Sequence, residues 1–327
     1  MTTTPVKQGS PPQLKPQFTQ PDGWHWGSFN NSRGEGLRYG WTAPENPKGF
    51  VMIAPGLSEF CEKYFETIRD LRKEGFAVAI MEWRGHGLSW RHVEDRQKRH
   101  SDGFENDVED FRLFYNTIAE IRKDKGLDAV PTALLAHSMG GNIALRYVHD
   151  NPDSFESATL TAPMLGINLS GAQKSILKPL CSFFNRIGKG DWFAPGQGRW
   201  VETRAKIASK LSLSNDPERR DVSAEWMAWN PDLQVGGVTY NWLLEAAKSC
   251  DIVQNPAFLK AIKTRCFFAI AEEESIVNNN DIFDAIEHMP AIEVKEYEGS
   301  KHEILMEKDK VRNAFLRDFK EFAFKIS

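Results

Sequence analysis

The chain has 327 residues, 41% hydrophobic and 26% charged, with a net charge of -4. That balance is ordinary for one large globular α/β domain with an insertion and excludes a disordered or fibrous chain. The small negative charge, with no aromatic-plus-basic reading motif, removes any global drive towards nucleic acid, so no nucleic-acid partner is expected.

Residues 1–22 are rich in Thr, Pro and Gln and read as a flexible tail without the basic start and apolar stretch of a secretory signal. A cytoplasmic location is the expectation. No run of about 18 apolar residues occurs, so no segment spans a bilayer, which leaves peripheral contact at the inner membrane face open. Strand-like apolar runs then recur at Leu37–Ala43, Gly49–Pro55, Phe76–Trp83, Thr132–Ala136, Ala158–Ala162, Cys266–Ala271 and Ile292–Tyr297. Helical patterns alternate with them at Glu59–Lys73, Asp107–Ile121, Asn142–His149, Asp281–His288 and Lys308–Phe324. In the second of these, Val108, Phe111, Phe114, Ile118 and Ile121 mark one buried face. Such alternation implies a mostly parallel sheet covered on both faces.

The alternation breaks at residues 165–255, which carry five of the ten tryptophans (Trp192, Trp200, Trp226, Trp229 and Trp242) and helical pieces without a clear strand. This stretch reads as a mainly helical cap inserted into a core formed by 23–164 and 256–327. Each tryptophan taken singly belongs to a small core of the cap; together they are placed to wall an apolar pocket. Cys61, Cys181, Cys250 and Cys266 stand singly with no C-x-x-C pair, and read as reduced thiols outside any zinc or disulfide framework.

Leu134-Leu-Ala-His-Ser-Met-Gly-Gly sets Ser138 between an apolar run and a helical pattern, with Ala136 and Gly140 as small flanks. A strand-to-helix turn tight enough to expose the Ser138 hydroxyl leaves no room for large neighbours, so the segment reads as a nucleophile elbow. A serine needs a base and a carboxylate to orient it, in the chain order Ser, Asp or Glu, His. Of the eight histidines only His288 and His302 follow the cap. His288 lies on a helical pattern and reads as a surface or capping residue; His302 follows the last strand-like run and is the expected base. Glu272, Glu273 and Glu274 follow the preceding strand, and spacing does not separate them. The oxyanion hole is assigned to the backbone N–H groups of Met139 and of Leu57, the latter because Gly56 permits a sharp turn. His86, in Arg84-Gly-His-Gly-Leu-Ser, precedes the serine and reads as a loop-shaping residue. The charged run Arg91–His100 reads as a solvated loop, with anionic lipid headgroups as an alternative contact.

These motifs, with Leu160-Thr-Ala-Pro-Met-Leu-Gly-Ile, Gly196-Gln-Gly-Arg-Trp, Val235-Gly-Gly-Val-Thr-Tyr-Asn-Trp, Ala271-Glu-Glu-Glu-Ser-Ile-Val and Lys301-His-Glu-Ile-Leu-Met-Glu-Lys-Asp, resemble the serine α/β-hydrolases of the monoacylglycerol lipase and lysophospholipase group (serine aminopeptidase S33-like), the lysophospholipase L2 branch most of all. The likeness runs from about residue 35 to the C-terminus. It implies the α/β-hydrolase fold, singles out Glu274 as the acid where the group usually has aspartate, and departs from the group's usual His-Gly at Pro55-Gly56. The matches inside the cap imply a lysophospholipid or monoacylglycerol substrate, cleaved at its carboxylic ester by Ser138, Glu274 and His302 through an acyl-enzyme.

No metal or other cofactor is expected, since H-E-x-x-H and clustered ligand spacings are missing. Two other readings remain: a general carboxylesterase or thioesterase on small acyl substrates, and a catalytically silent binding protein that keeps the shell.

Overall fold

The computed structural model describes residues 14–324. Among these, one sheet is built from β1 (His25–Asn30), β2 (Gly36–Thr42), β3 (Gly49–Ala54), β4 (Phe76–Met81), β5 (Thr132–His137), β6 (Ser157–Thr161), β7 (Arg265–Ala271) and β8 (Ile292–Tyr297). The spatial order is β1-β2-β4-β3-β5-β6-β7-β8. β2 is antiparallel to both β1 and β4, and the remaining neighbours are parallel. The helices are α1 (Phe65–Lys73), α2 (Phe104–Asp124), α3 (Met139–Asp150), α4 (Gly171–Arg186), α5 (Glu202–Ser212), α6 (Pro217–Trp229), α7 (Tyr240–Val253), α8 (Pro256–Ala261), α9 (Asn279–Ile286) and α10 (Asp309–Ala323).

Both faces of the sheet are covered because the chain changes direction across it. The crossover through α1 carries the chain from β3 to β4, one way across the sheet; those through α2 and α3 run the other way, and right-handed connections therefore put them on the opposite face. The contacts agree. Arg312 of α10 donates to Asp70 of α1 at 2.7 Å, while Phe111 of α2 meets Tyr147 of α3 edge-on at 5.0 Å between ring centroids. Covered on both sides, β3, β4, β5 and β6 are buried along their whole length. The strand order reverses between β3 and β5, and the crevice beyond the carboxyl ends of strands at such a point is where open α/β sheets place their ligands.

The seven strand-like runs each correspond to a strand of the sheet. β1 is the strand that apolar patterning missed: it is an edge strand with only Phe29 buried along it, and Trp26 is 42% exposed. The pattern at Glu59–Lys73 divides into a 3-10 turn at Cys61–Tyr64 and α1. Of the segment read as a flexible tail, residues 1–13 lie outside the described residues. The rest is packed: Phe18 is buried, and Arg69 of α1 donates to the Thr19 and Gln20 carbonyls at 3.0 and 3.2 Å.

Residues 165–255 contribute α4 to α7 and no strand to the sheet. The tryptophans there do not make a separate core. Trp226 packs edge-on against Phe65 of α1, Trp242 lies tilted against Phe104 of α2, and Trp192 is 47% exposed. A small satellite cluster of Cys181, Tyr240 and Leu244 joins α4 to α7 instead.

Candidate active site

The end of β5 is where the local geometry turns special. Ser138 follows the last strand residue and has φ 51° and ψ -117°, a strained backbone for a residue with a side chain. Its N–H donates to Thr161 O on β6 at 3.0 Å and its carbonyl accepts from Met164 N–H at 2.9 Å, so both neighbours pin the turn. Gly140 is required by close approach: a Cβ there would lie 2.3 Å from Ala54 O and 2.5 Å from Pro55 O. Ala136, two residues before the serine, is buried within β5 and its methyl is accommodated, which explains why glycine is not needed at that flank.

Ser138 Oγ lies 2.9 Å from His302 Nε2, and His302 Nδ1 lies 2.6 Å from Glu274 Oε2. With the proton on Nδ1, the imidazole donates to the carboxylate and accepts from the serine hydroxyl, the arrangement a general base requires. The side chains of His302 and Glu274 are 5% and 1% exposed, so solvent screens their interaction little. Burial raises the Glu274 carboxyl, but the His302 imidazole and the Ile276 and Val277 N–H groups outweigh it and hold the carboxyl below its ordinary range. Its Oε1 also accepts from Ser275 N–H at 2.8 Å, so the loop after β7 wraps around this carboxylate. Glu272 instead accepts from Gly299 N–H, and Glu273 is exposed. The three glutamates that spacing left equivalent are thus separated by the fold.

Met139 directly follows the serine, Leu57 lines the same cavity as it, and among the described residues neither N–H has a hydrogen-bond partner. The reason for Gly56 differs from the expected one. The positive φ of that loop falls on Ser58, at 65°, whereas Gly56 is needed because a Cβ would meet His137 at 2.8 Å and Glu59 at 3.0 Å. Glu59 accepts the Gly56 N–H and so fixes the loop from within.

Glu59 belongs to a buried cluster that sequence reasoning missed. Lys63 Nζ lies 2.7 Å from Glu59 and 2.5 Å from Glu303, and Tyr64 Oη donates to Glu59 at 2.6 Å. Burial raises the Glu59 carboxyl, but Lys63, His137 and Tyr64 prevail and bring it to about 2. Burial pushes Glu303 up, with Glu59 adding to the effect against Lys63. His137, its ring 4.9 Å from that of His302, is pushed down to about 4, chiefly by burial. Glu59, His137 and Glu303 offer ligand atoms within 4.8 Å of one another, but the Lys63 ammonium already supplies the positive charge a metal would bring. The signal available in sequence was the Glu-x-x-x-Lys spacing just after the oxyanion loop and the glutamate next to His302.

Ser138, His302 and Leu57 line a cavity of about 540 Å³. Its wall is mostly apolar, with Met164, Ala205, Ala208, Leu213, Met227, Val235, Trp200 and Trp242 contributed from 164–243, and Ile276 and Val277 opposite. The Arg91–His100 run is not a solvated loop. Gly236 N–H donates to Gln97 O at 2.7 Å, Arg99 N–H to Gly237 O at 3.1 Å and Thr239 N–H to Arg99 O at 2.9 Å, stitching it to residues 236–239. Buried main-chain groups of the two segments satisfy each other, which local charge composition does not reveal. His86 is buried with Nδ1 2.9 Å from Arg84 O and does not line the cavity that Ser138 lines, and burial pushes it down to about 3. His288 sits just past the end of α9, outside the cavity.

A family model described as serine aminopeptidase, S33, matches residues 45–309. The chain belongs to that family. It is 32% identical over 282 residues to lysophospholipase L2 of Escherichia coli (strain K12), covering 83% of this chain and 79% of that protein. It is 27% identical over 278 residues to a probable lysophospholipase L2 of Haemophilus influenzae, covering 83% and 82%. Among solved structures, a soluble variant of monoglyceride lipase from Saccharomyces cerevisiae, in complex with a substrate analog, superimposes with a TM-score of 0.70 at 17% identity, covering 97% of this chain and 99% of that one. The fold is the α/β-hydrolase fold.

Proposed function

We propose that this protein hydrolyses the carboxylic ester of lipids with a single acyl chain, lysophospholipids foremost, through an acyl-enzyme on Ser138. Family membership and the lysophospholipase relatives make it a carboxylic ester hydrolase. The observation that carries the finer reading is the Ser138–His302–Glu274 chain of hydrogen bonds opening into a largely apolar cavity of about 540 Å³. An acyl chain released from water into that wall contributes about 0.8 kcal/mol per methylene, a gain a short acyl group forgoes.

In the reaction, Ser138 Oγ attacks the ester carbonyl as His302 Nε2 takes its proton. Glu274 holds the tautomer and stabilises the imidazolium. The Leu57 and Met139 N–H groups donate to the developing oxyanion, each worth roughly 3 kcal/mol of barrier. The protonated His302 gives its proton to the leaving alcohol, then activates water, and the fatty acid departs.

Contact with a lipid surface belongs to the same proposal. No helix of the described residues is long and apolar enough to cross a membrane. α5 turns Ala205, Ala208 and Ser209 to the cavity and leaves Ile207 and Leu211 61% and 69% exposed; Ile176 and Phe183 of α4 are 59% and 56% exposed. Apolar surface of that kind marks an interaction site.

The test is a panel of lauroyl lysophosphatidylcholine, monolaurin and a short p-nitrophenyl ester with wild type and Ser138→Ala. The reading expects lipid hydrolysis that Ser138→Ala abolishes; cleavage of the short ester alone would favour a general esterase.

A further inference from the structure

The cavity wall carries two strong cations, and they are treated differently. Lys63 is neutralised by Glu59 and Glu303. Arg99 is not: among the described residues no carboxylate lies within ion-pair distance of it, and its side chain gives only its Nε–H, to Gly236 O. Of the buried arginines, Arg84, Arg219 and Arg312 are each matched to a carboxylate, whereas Arg91 and Arg122 give donors to main-chain carbonyls and line no part of the cavity. Arg99 is therefore a cation facing a cavity with its counter-charge missing. Burial alone depresses it, to about 10, with no acidic neighbour to restore it. A half-buried guanidinium with free donors and no counter-ion is a ready partner for an anion entering the cavity.

Its position is rigid. Arg99 bridges to Val238 in parallel register, and Gly236 packs so closely that a Cβ would lie 2.6 Å from Gly198 O and 2.9 Å from Gln97 O. Three main-chain segments converge there and are hydrogen-bonded to one another. The surroundings lean the same way. Arg91, buried in the same run, leaves Nε and Nη1 without partners, and His86 Nε2 is also unpartnered. Both arginines act on the His86 imidazole, so the donors share one neighbourhood. Arg99 N–H donates to Gly237 O, and Gln197 packs against Gly237; Gln197 and its neighbour Pro195 line the cavity and are exposed, so this corner lies where the cavity reaches solvent, while the buried Met227 and Trp242 also line it.

We propose that Arg99 is the specificity-determining residue that pairs with the phosphate of a lysophospholipid headgroup at the mouth of the substrate cavity. This rests on the lipid-ester reading of the site. The planar guanidinium, its Nε held by Gly236, turns its remaining N–H donors to the phosphate oxygens, while the acyl chain occupies the apolar wall. A monoacylglycerol has no such anion and leaves Arg99 unpaired, so the residue discriminates between two substrates that share the same scissile ester.

The test pairs binding with turnover in wild type, Arg99→Gln and Arg99→Lys, each checked by thermal melting. Calorimetry uses two ligands with no carboxylic ester, dodecylphosphocholine and 1-O-dodecylglycerol, below their micellar concentrations. Arg99→Gln should weaken the phosphocholine by about 10- to 100-fold and leave the neutral ether unchanged. The kcat/KM for lauroyl lysophosphatidylcholine should fall by the same factor, with monolaurin unaffected. Arg99→Lys, which keeps the charge and gives up the Nε bond, should retain a preference for the phosphate ligand. It also decides the matter if Arg99→Gln does not fold. Equal losses on both ligands, no loss on either, or an Arg99→Lys that melts like wild type yet loses all preference would overturn the proposal. Inorganic phosphate is a separate arm: inhibition of both lipids equally, through Arg99, would assign the site to free phosphate and overturn the headgroup assignment. If wild type hydrolyses neither lipid, the functional reading fails, and the binding arm still decides on Arg99.

Discussion

Replacing Glu274 by Gln removes the carboxylate hydrogen-bonded to His302 Nδ1 while keeping its size. In the wild type Oε1 is occupied by the Ser275, Ile276 and Val277 N–H groups and Oε2 receives His302 Nδ1–H at 2.6 Å. A glutamine keeps its carbonyl oxygen on those three donors, which turns its NH2 towards Nδ1. The imidazole then presents Nδ1 as an acceptor and carries its proton on Nε2, where it no longer takes the proton of Ser138. Because both side chains are nearly sealed from solvent, water offers little compensation. The expected loss in kcat is about 10³- to 10⁴-fold, equivalent to about 4 to 5.5 kcal/mol of barrier. KM should change little. Steady-state hydrolysis of a p-nitrophenyl ester measures it, with a melting curve to confirm the fold. Glu272→Gln and Glu273→Gln, both at exposed side chains, should stay within about twofold of wild type. A Glu274→Gln enzyme within tenfold of wild type, or an equal loss in either neighbour, would refute the assignment.

Gly140→Ala drives a methyl against the Ala54 and Pro55 carbonyls, so urea unfolding should show a loss of about 1–3 kcal/mol together with reduced turnover. His86 is held at about 3 in the fold against 6.5 when free, so the unfolded chain binds more protons between those values and stability falls as pH drops below 6.5. His86→Asn removes that contribution; relative to it, wild type should lose about 2 kcal/mol between pH 7.5 and pH 5, read from urea unfolding at each pH, and a constant difference would contradict the assignment. Ile207→Ser with Leu211→Ser exchanges exposed apolar surface on α5 and should lower partitioning onto phospholipid vesicles by about tenfold or more in a sedimentation assay, leaving hydrolysis of a short soluble ester intact.

What the sequence discloses depends on how local the physical signal is. β3 and β5 are buried on both faces, so Gly49–Pro55 and Thr132–Ala136 read as continuous strand-like runs, and the turn at Ser138 demands small flanks within two residues. His302 follows from chain order together with its place in the loop after the last strand-like run, which sets it apart from His288 on a helical pattern. β1 escapes because an edge strand needs little burial, and Glu274 is not separable from its neighbours because the choice depends on how the loop wraps a carboxylate. Least legible are contacts between distant segments. Lys63 meets Glu303 across 240 residues, and the Arg91–His100 run looks solvated until residues 236–239 are laid against it. Both surround the site, so its supporting polar groups emerge only from the folded chain.

The most direct test of the central claim is labelling with a fluorophosphonate followed by peptide mass spectrometry. The account predicts a single stoichiometric adduct on the Ser138 hydroxyl, lost in Ser138→Ala and slowed in step with turnover in Glu274→Gln. An adduct on another residue, or an enzyme that hydrolyses ester normally while Ser138 stays unlabelled, would contradict it.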